Sequence, residues 1–141
     1  MDLSKILSIS GKNGLFKLVN QGKNNVIVES LEDGKRMPAF SHDGIATLDN
    51  ISIFTYDDDV TLESVFQSIY KKENGAATPD FGNDGAKMKT YFEEILPNYD
   101  KERVYVSNIK KVYAWYNLLI KHNLIDLEAK QNEKTEVIKG I

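Results

Sequence analysis

The sequence predicts an α+β chain: a small SH3-like β-barrel over residues 1–57, a helical domain over 60–125 and a polar C-terminal tail over 126–141. Three observations carry this reading. β-Branched, glycine-punctuated alternation ends at Asp57-Asp58-Asp59, and apolar spacing of helical period begins after it. Before that run, strand-like segments recur at short intervals between turn formers. After it come three apolar stripes, bounded by a glycine, a proline and a shift to polar composition.

The strand signals are residues 15–19, 26–31, 37–40 and 51–54, and Gly11 and Gly14 mark the first bend. Gln21-Gly22-Lys23-Asn24-Asn25 and Glu32-Asp33-Gly34-Lys35 read as hairpin connections. Asp33-Gly34 is the pair that best tolerates the two positive φ angles of a type I′ turn, so the strands on either side of it are expected to pair. Pro38 has no N–H to give a ladder, which places its strand at an edge or a bulge. Five or so short strands within residues 1–57 cannot build a sandwich, and a small barrel hides their edges most economically.

Thr61 is placed to cap a helix whose stripe is Leu62, Val65, Phe66, Ile69 and Tyr70, with a stop near Asn74-Gly75. Residues 75–85 form a loop, flexible in composition apart from Phe81, which is expected to pin it to the core. A second helix shows Met88, Tyr91, Phe92, Ile95 and Leu96 on one face and ends at Pro97. Ser107 can cap a third, longer helix over 107–124. Its face of Ile109, Val112, Tyr113, Tyr116, Leu119, Ile120 and Leu124 is widened by Trp115 and Leu118. After Ile125 the chain turns polar and charged, and residues 126–141 read as a solvated tail.

At 141 residues, with 41% hydrophobic and 28% charged side chains, the chain fills one ordinary core or two small ones. Two cores of about 60 residues each would be marginal, so the helical part is expected to pack against the sheet part. With no cysteine, disulfides, thiolate nucleophiles and cysteine metal sites are all excluded, and a reducing cytoplasm fits. The first residues carry no cationic start followed by an apolar stretch, and no apolar run has the length of a membrane span. A net charge of -3 disfavours a protein that holds nucleic acid mainly by neutralising phosphates.

Met1-Asp2-Leu3-Ser4-Lys5-Ile6-Leu7-Ser8-Ile9-Ser10-Gly11-Lys12, Val28-Glu29-Ser30-Leu31-Glu32-Asp33-Gly34-Lys35-Arg36, and Arg103-Val104-Tyr105-Val106-Ser107 with Trp115-Tyr116 resemble a family of uncharacterised bacterial proteins over about residues 1–125. The resemblance implies an SH3-type barrel domain of unknown function joined to a small helical domain, also of unknown function. It also implies that the three helices form an orthogonal, winged-helix-like bundle. It carries over no catalytic or binding residue. Asn13 stands where the family pattern has proline, a change that loosens the first turn and leaves the fold intact.

No constellation rises to a catalytic signature. His42 and His122 are the two histidines, and neither has metal-ligand spacing. Ser41-His42-Asp43-Gly44 holds the residue types of a hydrolase triad, but sequence neighbours do not converge as a triad must, so it reads as a turn. Gly11-Lys12-Asn13-Gly14 lacks phosphate-loop spacing and also reads as a turn. Asp57-Asp58-Asp59 lacks the alternate oxygens and distant glutamate of a calcium loop; its expected role is to place negative charge before the Thr61 helix.

The expected function is therefore a non-enzymatic cytoplasmic interaction module that needs no cofactor. The barrel face, and the groove between barrel and helices, would recognise a protein or peptide partner or a second copy of the chain. Phe40, Tyr56 and Phe54 are candidates for its surface, Phe54 reading more as core. The alternative is a nucleic-acid-associated regulator working through the helix over 107–124, with Lys110, Lys111 and Lys121 on phosphates. For either partner the candidate contact residues are Lys101, Arg103, Lys110, Lys111, Trp115 and Lys121. A third possibility is an enzyme with an unfamiliar site, which a deep pocket lined by perturbed acids would reveal.

Overall fold

The computed structural model describes residues 3–12 and 14–125. The expected tail over 126–141 and the expected loosening at Asn13 lie outside those residues.

The first half is a five-stranded antiparallel sheet. Its strands are β1 (Ile6–Ile9), β2 (Phe16–Gln21), β3 (Asn25–Ser30), β4 (Arg36–Phe40) and β5 (Ile45–Thr47), in the order β4-β3-β2-β1-β5. The two-residue period of a strand sorts its side chains. Leu7, Ile9, Phe16, Val28 and Ala39 fill a cluster on one face, with Leu18, Val26, Met37 and Ile45 against it. Ile6 and Leu15 point the other way and join the core under the helices.

A closed small barrel was expected; among the described residues no ladder joins β4 to β5, so the sheet is open there, although Ala39 and Ile45 from its two edges share one apolar cluster. Pro38 lies on edge strand β4, as its missing N–H requires. The loop between β3 and β4 is not type I′. Gly34 alone has positive φ, at 73°, with its N–H donating to Ser30 O at 2.9 Å and the Asp33 side chain accepting from Lys35 N. Asp33 stays in the ordinary region, and one glycine absorbs the reversal.

Residues 51–54 do not join that sheet. Ser52–Ile53 (β6) pairs with Val60–Thr61 (β7) in a separate hairpin, and Asp57-Asp58-Asp59 lie in the loop between them. Thr55, 1% exposed, organises this loop: its hydroxyl donates to Asp58 O at 2.7 Å and accepts from Asp57 N at 3.0 Å. The aspartates are thus separated from the following helix by β7. On its other side the segment is bonded to residues 98–100, through Tyr56 N to Asn98 O and Asp100 N to Phe54 O. Its partners are therefore in the helical half.

The helices are α1 (Leu62–Lys72), α2 (Gly85–Ile95) and α3 (Val106–Lys121). Thr61 caps α1 by accepting from Ser64 N, and Asp84 caps α2 by accepting from Lys87 N, each at 3.1 Å. Asn74 and Gly75 end the α1 segment with φ of 54° and 83°. Ser107 does not cap α3. The helix starts one residue before it, and the cap position falls to Tyr105, whose N–H donates to Asn108 Oδ1 at 2.9 Å. The far end also differs, since α3 stops at Lys121 rather than 124 and Asn123 takes a φ of 55°.

One apolar core runs under all three helices and into the sheet. Leu3, Ile6, Leu15 and Leu48 from the first half are buried with Leu62, Phe66, Phe92, Ile109, Tyr116 and Leu119 from the second. Phe81 holds the long loop to it as expected, its ring 5.3 Å from Tyr91 and 5.2 Å from Tyr113. Tyr116 donates to Ala76 O, and the Asn117 side chain pairs with both the N–H and the hydroxyl of Thr78. Burial pushes the phenols of Tyr91, Tyr113 and Tyr116 up, so each stays a neutral donor.

Leu48 is fully buried where the sheet half meets α1. Leu48→Ala should cost about 2–5 kcal/mol of unfolding free energy, the usual range for a leucine truncation that leaves a cavity, as read by urea denaturation.

Candidate functional site

The outward stripe of α3 carries Lys111, Ala114, Trp115, Leu118 and Lys121, spaced three and four apart so that they share a face. The core under α3 turns this stripe toward the end of β1 and the bend after it. Between them lies a cleft of about 550 Å3, whose opposite wall is formed by Ser8, Ile9, Ser10, Gly11, Lys12, Gly14 and Glu32. Both halves of the chain therefore line one groove at the seam between them. The bend has to be glycine-built. Gly14 has a φ of 79°, and a Cβ there would lie 2.3 Å from Glu32 Oε1, so the residue leaves room for that carboxylate.

Trp115 and Lys111 also border a second cleft of about 370 Å3, lined by the β6 segment with Phe54, Arg103, Tyr105 and Asn108. Phe54 is 40% exposed here and is not core. The Arg103 guanidinium lies 4.2 Å from the centre of its ring and is held there by Asp100, with Nε to Oδ2 at 2.7 Å. That hydrogen bond holds the Asp100 carboxyl below the usual carboxylate range against the opposing effect of burial, with help from the N–H groups of Glu102 and Arg103. Asp100 and Asp59 in turn push the Arg103 guanidinium up. Its charge is already matched within the fold.

Of the six residues singled out by sequence, the structure brings Lys111, Trp115 and Lys121 together in the seam groove. Arg103 lies across Trp115 in the second cleft. Lys101 is drawn elsewhere, 3.8 Å from Glu93 and 5.0 Å from the centre of the Tyr99 ring. Lys110 is exposed and lines neither cleft. Lys12 was read only as part of a turn, and Glu32 as part of a hairpin; both belong to the groove. Lys12 and Lys111 sit in different halves of the chain, so no local pattern could join them. The one usable signal was the paired positive-φ glycines around Lys12, which make an exposed bend.

The remaining candidates have structural partners. His42 stacks on Phe40 at 5.7 Å in a short 3-10 turn, and Asp43 Oδ2 accepts from Phe40 N at 2.7 Å. Among the described residues no three histidine or acidic side chains gather as metal ligands would, and no helix is long and apolar enough to cross a membrane. The seam groove presents amines, a half-buried indole and an apolar floor.

Two family models cover most of the chain. One, a domain of unknown function (DUF5606), matches residues 3–48; the other, a domain of unknown function (DUF6852), matches residues 51–119. No curated protein matches the chain. A protein of Bacteroides vulgatus solved by solution NMR is 41% identical, over 89% of this chain and 90% of that one, with a TM-score of 0.68. The chain belongs to the family of that Bacteroides protein.

The Asp100–Arg103 pair gives a pH signature. A carboxyl held low in the folded state stabilises above its unfolded pKa, and that contribution is lost as pH falls through its lowered folded value. Asp100→Asn should therefore be less stable than the native chain at pH 7, and the difference should shrink toward pH 3. Denaturant midpoints at the two pH values check this.

Proposed function

We propose that this chain is a non-enzymatic interaction module that holds a segment of a protein partner in the groove between its sheet and its helices. The observation that carries the proposal is the construction of that groove. Trp115 lines it with Lys111 and Lys121 on one side and Lys12 on the other, so its composition depends on both halves being docked. Aromatic side chains are enriched where partner surfaces meet, and a cleft between two packed units is a common place for a ligand. Reading the open sheet as SH3-like and the three helices as winged-helix-like adds support by analogy, since both kinds of module commonly serve recognition. We place the protein in the cytoplasm on the same footing, from its lack of cysteine.

A second reading, a nucleic-acid-associated regulator, draws on the same Lys111, Trp115 and Lys121. It is weaker because Arg103 and Lys101, which would extend a phosphate track, already face Asp100 and Glu93. Capture from cells on the tagged native chain and on a Lys111→Glu, Lys121→Glu variant separates the two. The proposal expects a protein that survives nuclease and is lost from the variant while the melting temperature stays unchanged. Recovery of the same protein by the variant, or of nuclease-sensitive material alone, would contradict it.

A further inference from the structure

Resting on that reading, we infer that the segment held in the seam groove is an extended acidic stretch of a partner protein, in which carboxylates four residues apart flank an apolar side chain midway between them. The charge of the groove opposes that of the molecule. The chain carries a net charge of -3, yet the groove sets Lys12, Lys111 and Lys121 against the single carboxylate of Glu32. Such local reversal of sign draws in an anionic partner and repels a cationic one.

The apolar part of the groove selects further. Leu118 and Trp115, both half-buried, line the groove with the lysines, where a chain of phosphates would leave them uncovered and a leucine or phenylalanine would bury them. Nucleic acid is the less suited occupant. Length fixes the form of the segment. Lys111 and Lys121 are ten positions apart on α3, which at a helical rise of about 1.5 Å per residue separates them by roughly 15 Å along the axis. An extended strand crosses that distance in about four or five residues, and its alternate side chains fall on opposite faces. Carboxylates four residues apart then share one face of the strand and meet the two ends of the lysine row, while an apolar residue midway between them, on that same face, meets the indole.

Trp115 is the only tryptophan in the chain and borders both clefts, so an emission change belongs to the seam groove when it is weakened in Lys12→Glu, which lines that groove and not the second cleft. The probe is a capped peptide of about eight residues repeating aspartate, serine, leucine, serine, so that aspartates and leucines share one face, and long enough to overrun the lysine row at about 3.3 Å per residue. Lysine-for-aspartate and serine-for-leucine versions and an oligothymidylate accompany it. The expected result is a saturable emission change with the aspartate–leucine peptide that weakens with salt and is at least about tenfold weaker in Lys12→Glu and in Lys111→Glu, which stand on opposite walls. The lysine peptide should give none, and the serine peptide a weaker change. No saturable change with the acidic peptide, or equal binding of the lysine version, overturns the inference; a nuclease-resistant partner still lost from the charge-reversed variant would then leave the seam reading standing. Preferential binding of oligothymidylate overturns both.

Discussion

The burial of Leu3, Ile6, Leu15 and Leu48 among the side chains of the helical half is what the rest of this structure depends on. The cluster on the other face of the sheet has only Leu7, Ile9, Phe16, Val28 and Ala39 fully inside it, a small core for a sheet of five short strands. The second half is better supplied, with Phe66, Phe92, Tyr99 and Tyr116 fully buried. The sheet completes its apolar burial by covering one side of that helical core. Two stretches matched by separate family models thus share a single interior.

The groove follows from this packing. Docking the sheet on the helices leaves the end of β1 and the Gly11–Gly14 bend beside the outer stripe of α3, and neither surface fills the space between them. Trp115 is half-buried because it sits at the border of the core and the opening. Arg103, by contrast, is committed: the bond to Asp100 and the face of Phe54 tie the β6 hairpin to the chain before α3 and fix the second wall of the tryptophan's surroundings. Among the described residues, Lys12, Lys111 and Lys121 line the seam without such a partner.

What was legible in the sequence was local. Thr61 caps α1, Pro38 lies on an edge strand and Phe81 reaches the core, because each depends on a backbone group, a missing N–H or a bulky ring within its own segment. What failed was the choice of partner. Residues 51–54 have the composition of a strand, but composition does not say whether β5 or a hairpin beyond three aspartates will pair with them. Ser107 has the chemistry of a cap, yet Asn108 reaching back to Tyr105 N starts the helix earlier. Of the site, the α3 face with Lys111, Trp115 and Lys121 could be read from helical spacing. Lys12 could not, since only tertiary packing brings it to the same groove.

If the sheet and the helices are one cooperative unit, their amides cannot open separately, and the groove between them persists as long as the molecule is folded. Native-state hydrogen exchange in rising denaturant tests this most directly, by comparing Val28 in β3 with Ile109 in α3. The account predicts that both amides exchange through the same global opening, with equal free energies and equal dependence on denaturant. Exchange of Val28 through a separate, lower-energy opening, while Ile109 stays protected, would show that the sheet comes away on its own and would contradict it.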